Sequence, residues 1–558
     1  MPTTLKPQQK ATIANAMIAL ATQRRFDAGD SAYGNELAVI VEQGRSLTAL
    51  QNQSASKLVQ KYSRQLQGLG INLNGVVPLP RPDSAIRPET IAPTSSNVPT
   101  IESLRSELGL QQKEAFDALM DWAILPVDDF VLRGGAGVGK SFMIQRFMKA
   151  LMLTKPDLAM AMCAPTHKAR KVLVTFAAKA GLNIEIATLQ SLLHVKPGRP
   201  DASGNVKLEH NKYACGSNFS NFGMVAIDEA SMEGEELLRW VRRHPNTATL
   251  HIGDEYQLPP VEHEIDSCDS PIFDFPRGFQ LTEQQRYDGA IASYVTALRN
   301  DLTNASQVDL ESGGNISKLS YTKWLDNALE CFESAKESDD VRILAWKNDR
   351  VHELNREVRA LMRPGIEAHF VEGELLIAKS SVTIRDPESL SGTKMLMHSC
   401  QECTVLKVCH GTTILNLWAK SGMAKPVTLD CYKLQIITDV GEVAWITIVH
   451  PEGWRTARMA MNLAKASIED MDGNVRSVYW KRWYEICEAI NVEFRGSKML
   501  SRLQYAYAIT VHQAQGSTIK KTFVDINNIK TCKQPKLTGQ LLYTAGTRAS
   551  DRLFALSL

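Results

Sequence analysis

Along residues 1–75 the apolar positions recur at helical spacing: Leu58, Tyr62 and Leu66 lie four apart, on one helix face. Pro78, Pro80, Pro82, Pro88, Pro93 and Pro99 follow, with Ser95, Ser96 and Asn97 among them. Proline blocks helix continuation and sheet pairing alike, so this stretch reads as a linker. The pattern predicts a helical module over 1–75 and a Pro/Ser-rich linker over 76–104. After residue 100 short apolar runs alternate with helical patterns. Phe130-Val131-Leu132, Ala159-Met160-Ala161-Met162, Met224-Val225-Ala226-Ile227 and Thr249-Leu250-His251-Ile252 are such runs. They suit parallel strands buried on both faces, joined by crossover helices. A second set appears at Val341-Arg342-Ile343-Leu344-Ala345 and Thr522-Phe523-Val524-Asp525-Ile526. Between the two sets the chain turns rich in Thr, Val and Trp, with strand-like Leu434-Gln435-Ile436-Ile437 and Ala444-Trp445-Ile446-Thr447-Ile448. The expected architecture is α/β: one parallel-sheet lobe over 105–290, a second over 291–370 and 500–558, and a β-rich insertion over 371–499.

Composition narrows the class. The chain has 558 residues, 44% hydrophobic and 22% charged, enough for roughly three or four domains. That excludes a disordered chain, a fibrous repeat and a disulfide-stapled mini-protein. Lys+Arg 63 against Asp+Glu 61 gives a net charge of +2, so a nucleic-acid groove would need local charge. Ten cysteines form no disulfide framework, which suits a reducing compartment. Met1 to Lys10 has no apolar signal core, and no run reaches the ~20 apolar residues of a membrane span. A soluble, cytoplasmic protein is expected, with no membrane partner.

Gly134-Gly135-Ala136-Gly137-Val138-Gly139-Lys140-Ser141 matches G-x-x-x-x-G-K-[ST] in full. It follows an apolar strand and opens the helical run Phe142 to Leu153, the context a P-loop requires. Backbone N–H groups curl round phosphates there, and the helix N-terminus adds positive potential. Lys140 would reach the β/γ-phosphates and Ser141 would ligate Mg²⁺. Further on, an apolar strand ends in Asp228-Glu229. Asp228 suits Mg²⁺, and Glu229 suits polarising the attacking water.

Further blocks fall in order: Gly253-Asp254-Glu255-Tyr256-Gln257-Leu258-Pro259-Pro260-Val261, Leu281-Thr282-Glu283-Gln284-Gln285-Arg286, Thr510-Val511-His512-Gln513-Ala514-Gln515-Gly516-Ser517 and Tyr543-Thr544-Ala545-Gly546-Thr547-Arg548-Ala549. With the P-loop and Asp228-Glu229 this series resembles the superfamily-one helicases, in the branch of RecD and Dda. The resemblance covers residues 105–558, with gaps in the insertion. It implies two RecA-like P-loop lobes, a hairpin in the first and an SH3-like, tower-forming insertion in the second. It implies that Gln112 contacts adenine and that Gln257 links the γ-phosphate to the DNA site. It implies that Arg286 and Arg548 approach the γ-phosphate from opposite sides of the cleft, and that Gly516 lies at the nucleotide. Alone, Arg548 would read as a surface arginine and Gln257 as a loop amide; each gains its role from its motif.

The same resemblance assigns a DNA track to Pro165, Thr166 and His167, to Thr188, and to Thr510, His512 and Gln513. Hydroxyls and backbone N–H groups suit phosphate contact without sequence reading. Lys168 and Arg170 are either part of that track or a solvated first helical turn. Residues Lys196 to His210 carry hairpin turn chemistry at Pro197-Gly198 and Ser203-Gly204-Asn205. The resemblance makes a hairpin about 194–212 a wedge, here with no aromatic residue at the tip, Asp201 to Asn205; a plain surface loop is the other reading. Tyr479, Trp480, Trp483, Tyr484 and Cys487 sit at helical spacing, where they read as a packing stripe before a base-stacking face. Cys400-Gln401-Glu402-Cys403 with Cys409-His410 lacks a well-spaced second pair, so no zinc site is assigned. Arg24, Arg25, Arg45, Lys57, Lys61 and Arg64 make the first 75 residues mildly basic. They would tether DNA or a replication or recombination protein, or form a solvated extension.

The resemblance thus implies an ATP-dependent DNA helicase: a monomer using ATP and Mg²⁺, acting on single-stranded and forked DNA in replication, recombination or repair, and moving 5′-to-3′. Two alternatives stay open: a translocase that strips proteins with little unwinding, and an ATP-gated DNA-binding module.

Overall fold

Six strands build the first sheet of the computed structural model, which describes residues 99–556 apart from 127, 201–205, 212–215, 261–268, 284–288, 309, 311, 336, 386–392, 420, 421, 424, 425 and 472. The module expected over 1–75, the linker up to residue 98, the hairpin tip Asp201 to Asn205, and Arg286 lie outside the described residues. Helix Ile101–Ser106 begins inside the expected linker, because the Thr100 hydroxyl accepts the Ser103 N–H and caps it. The described residues up to Ile384 and from Met395 onward form one compact unit.

The first lobe runs α1 (Leu110–Ile124), β1 (Phe130–Gly134), α2 (Lys140–Thr154), β2 (Met160–Ala164), α3 (His167–Ala180), β3 (Glu185–Thr188), the hairpin β4 (Val195–Pro200) and β5 (Val206–His210), β6 (Met224–Ile227), β7 (Ala248–Gly253) and β8 (Gly278–Leu281). Its sheet has the order β3-β2-β6-β7-β1-β8, and every pairing is parallel. The apolar runs predicted this. Every residue of β2 and β6 is buried, and Phe116, Leu119, Phe147, Met148 and Leu173 from the helices complete one core with them. A parallel sheet gathers its functional loops at the strands' carboxyl ends. The glycine loop follows β1, Thr166 follows β2, Thr188 ends β3, Asp228 follows β6 and Asp254 follows β7.

The second lobe opens with α4 (Gly289–Asn300), β9 (Ile316–Leu319), α5 (Tyr321–Ser334), β10 (Val341–Ala345) and α6 (Asn348–Met362). The inserted domain follows: β11 (Leu375–Ala378), β12 (Glu402–Leu415), β13 (Val427–Thr438), β14 (Val443–Val449), α7 (Trp454–Glu469), α8 (Gly473–Ala489) and β15 (Leu503–Tyr505). The lobe resumes with β16 (Ala508–Thr510), α9 (Val511–Ala514), β17 (Ile519–Val524), α10 (Pro535–Arg548) and β18 (Ala549–Leu556). Its sheet has the order β16-β10-β17-β18-β9 and is parallel throughout. Phe523 and Phe554 stack at 4.3 Å on neighbouring strands, and Trp324 packs edge-on against Phe523. The predicted run Thr522 to Ile526 is split, since the Asp525 carboxylate accepts the Asn528 N–H and starts a short helix.

The insertion is an antiparallel sheet of order β14-β13-β12-β11-β15. β13 buries alternate residues, with Tyr432, Leu434 and Ile436 on its core face. β15 falls beyond residue 499 because Leu503 and Tyr505 pack into this core and their strand pairs with β11. Trp483 and Cys487 of α8 are buried against Met461 and Ile468 of α7, so the aromatic stripe packs two helices together.

Candidate active site and nucleic-acid track

The P-loop turns sharply between β1 and α2. Gly137 and Gly139 have φ of 86° and 81°, the left-handed region that costs an L side chain about 1–2 kcal/mol. The Lys140 ammonium donates to the carbonyls of Gly134 at 2.6 Å and Gly135 at 3.0 Å, which holds its head inside the loop. Ser141 is exposed in the first turn of α2. Gln112 is buried and tied at both ends of its amide. Its Oε1 accepts the Gly109 N–H, and its Nε2 donates to the Val138 carbonyl of the P-loop at 3.2 Å.

Asp228 and Glu229 leave β6 side by side. Glu229 has φ of 53°, a strained conformation of the kind found where a side chain must be aimed. Burial raises the Asp228 carboxyl, against the Glu229 N–H and the Lys140 charge. Burial and the Asp228 charge raise Glu229 to about 7, opposed by Arg548 and Lys140. Two adjacent carboxyls that resist ionisation fit a divalent cation, which would relieve their repulsion. Asp228 and Ser141 would hold it, and it would offset charge on the phosphates.

Arg548 is the last residue of α10, a helix buried from Thr538 to Arg548. Its guanidinium donates to the carbonyls of Thr544 and Ser517 and to the Thr547 hydroxyl. It thus reaches the electrostatic neighbourhood of Glu229 from the other lobe. Gln257 is also buried, with its amide nitrogen 3.4 Å from Asp254 Oδ2 and its amide oxygen without a hydrogen-bond partner among the described residues. Gly516 has φ of 75° and lies against the first lobe. A Cβ there would come within 3.1 Å of the Ala169 Cβ, so it seats the second lobe on the first turn of α3.

The residues expected to form a DNA track lie at the starts of helices. Thr166, Thr188 and Thr510 each cap one, accepting the N–H of Ala169, Ser191 and Gln513. Gln513 returns the bond by accepting the Thr510 N–H at 3.1 Å. Pro165 joins β2 to this segment. His512 is half-buried, and burial lowers its pKa. His167 stacks on His398 of the insertion. Lys168 faces Asp339 at 3.6 Å and Glu402 at 3.8 Å, and Arg170 donates to the Ile186 carbonyl. These two cations therefore serve contacts within the chain.

Two family descriptions match the chain. An "AAA domain" covers residues 121–263, the body of the first lobe. A "UvrD-like helicase C-terminal domain" covers residues 505–556, the returning half of the second. These matches support a superfamily-one, Dda-like helicase. The chain is 27% identical over 274 residues to the ATP-dependent DNA helicase dda of Enterobacteria phage T4, covering 48% of this chain and 60% of that one. It is 24% identical over 482 residues to the uncharacterized protein R530 of Acanthamoeba polyphaga mimivirus, across 76% of this chain and 94% of that one. A Bacteroides Pif1 helicase in complex with ADP-AlF3 and ssDNA aligns at 15% identity and TM-score 0.42, covering 80% of this chain and 92% of that one.

The cleft also holds residues whose contacts were not legible in their motifs. The Gln111 side chain accepts the N–H groups of Thr282 and Glu283 and donates to the Thr282 hydroxyl. It thereby holds the start of the segment that leads to Arg286. Arg299 of α4 lies over the Tyr256 ring, and a Cβ on Gly135 would come within 2.8 Å of its Nη1. Gln515 donates to the buried Ser231 hydroxyl of the first lobe at 3.2 Å. Each pairs residues far apart in sequence, so no spacing pattern marks them. No helix among the described residues is long and apolar enough to cross a membrane.

Proposed function

We propose that this chain moves along single-stranded DNA in the 5′-to-3′ sense and separates duplex DNA as it goes. The chain is an ATP hydrolase. One observation carries the reading: Glu229, beside Asp228, feels both Lys140 from its own lobe and Arg548 from the other. A phosphoryl-transfer transition state spreads charge over oxygens, and a cation from a second lobe completes the site when the cleft closes. Closing on ATP and opening on release would move the lobes relative to each other along a bound strand. In this reading Lys140 and Ser141 hold phosphate and Mg²⁺ with Asp228. Glu229 orients water, and Gln257, Arg286 and Arg548 respond to the γ-phosphate.

The strand would cross Thr166, His167 and Thr188 in the first lobe, and Thr510, His512 and Gln513 in the second. The β4–β5 hairpin lies next to Thr188 along the chain, and its base is braced where Leu208 N–H donates to Glu236 at 2.6 Å. That bracing suits a wedge. Backbone-dominated binding would weaken steeply with salt.

The test is ATP-driven unwinding of matched duplexes bearing only a 5′ or only a 3′ single-stranded tail, with Lys140→Ala as control. Opening of the 5′-tailed duplex alone, lost in the variant, is the expected result. Opening of the 3′-tailed duplex alone would overturn the direction. DNA-stimulated hydrolysis with neither duplex opened would replace the helicase reading by a protein-stripping translocase.

A further inference from the structure

Tyr543 is buried in α10, at 1% exposure, five residues before Arg548. Its hydroxyl donates to Asp254 Oδ2 at 2.7 Å and accepts the Ala136 N–H at 3.3 Å. Asp254 follows β7 and is itself buried. Its other oxygen accepts the Tyr256 N–H at 3.2 Å, while Oδ2 also faces the Gln257 amide at 3.4 Å. One phenol therefore joins the helix of Arg548 to the P-loop and to the loop of Gln257.

We infer that Tyr543 is a positioning residue for ATP hydrolysis, whose hydroxyl seats the Arg548 helix against the P-loop and the Asp254–Gln257 loop. The inference rests on the ATP-driven reading above. Five residues of helix set Tyr543 and Arg548 about 7.5 Å apart along the axis. A helix buried on all sides transmits a shift at one point to the other, because packed interiors have little slack. The ring alone would fill the space, yet only the hydroxyl fixes the register, by satisfying two groups that sit at different strand ends. Burial and the adjacent Asp254 carboxylate raise the Tyr543 hydroxyl well above its ordinary pKa, so it remains a donor throughout the usual pH range. Tyr543→Phe keeps the ring and removes both bonds, leaving the Ala136 N–H and Asp254 Oδ2 without this partner.

The experiment compares steady-state ATP hydrolysis with saturating single-stranded DNA for the full chain, Tyr543→Phe, Asp254→Asn and the double variant, with Lys140→Ala as the inactive control. Misplacing a reacting group by about 1 Å costs on the order of 10²-fold in rate. The expected result is a kcat lowered about 10- to 100-fold in Tyr543→Phe, with KM for ATP within about threefold and a cooperative melt retained. The double variant is expected to lose little beyond the worse single one, since both remove the same link. Wild-type kcat in Tyr543→Phe would overturn the role, as would losses that multiply in the double variant. A rise in KM alone would also overturn it, by assigning Tyr543 to binding. No turnover in the unsubstituted protein would overturn the ATP-driven reading itself, and the role of Tyr543 with it.

Discussion

The imidazoles of His167 and His398 stack with ring centroids 3.4 Å apart and planes 9° from parallel. One begins the α3 helix of the first lobe, and the other belongs to the insertion. Burial, then His398 and Arg170, lower His167 to about 3. Burial, then Arg170, lower His398. Two cationic rings could not share this contact.

The stack should make the protein acid-sensitive in a defined window. In the unfolded chain each ring takes a proton below about 6.5. The unfolded state then binds more protons than the folded one, so this contribution is complete above that value and is lost as pH falls toward about 3. Melting temperature should drop between pH 7.5 and 5 by less in His398→Phe, which keeps a flat ring without the charge, than in the unsubstituted protein. Parallel pH profiles for the two would remove the stack as a cause. Lys168, Arg170, Glu402 and Asp439 face the same interface and are present in both proteins.

Arg342 and Glu402 form a buried pair at 2.7 Å, joining β10 of the second lobe to β12 of the insertion. Burial alone would raise the Glu402 carboxyl, but Arg342 and Lys168 outweigh it and hold it at about 2. The stability it contributes is present above the usual carboxylate range and fades as pH falls toward that value. Arg342→Met would leave the buried Glu402 charge with only the more distant Lys168 and should cost about 3 kcal/mol in chemical denaturation. Arg342→Met with Glu402→Leu should recover most of it; an equal loss in the double variant would refute the pair.

Glu229→Gln keeps the shape of the side chain and removes its charge. ATP turnover should fall at least about 100-fold, while nucleotide affinity by equilibrium titration stays within a few-fold. Retained turnover would deny Glu229 its role in water activation.

Gly539 in α10 leaves no room for a side chain. A Cβ there would lie 2.1 Å from the Leu302 carbonyl oxygen and 2.9 Å from the Leu302 Cα. Gly539→Ala should destabilise by about 3 kcal/mol or more, since backbone must move. Gly313→Ala has nothing within 4 Å and should change stability by less than about 0.5 kcal/mol. Comparable melts for the two would refute the close approach.

The amino-acid order alone determined the features that are local. Glycines, lysine and serine at P-loop spacing between an apolar strand and a helix are one continuous stretch, and so are Asp228 and Glu229 at the end of β6. Apolar runs announced both parallel sheets, because strands buried on two faces cannot hide their composition. Tertiary structure decided what those motifs do to one another. It turned Thr166, Thr188 and Thr510 into helix caps, tied Lys168 to carboxylates of the chain, and set Gly516 on Ala169. It joined Tyr543 to Asp254 across 289 positions and Gln111 to Thr282 across 171. A periodic pattern records which face of an element is buried, but not which distant element covers it; that partner is chosen by the packing of whole lobes.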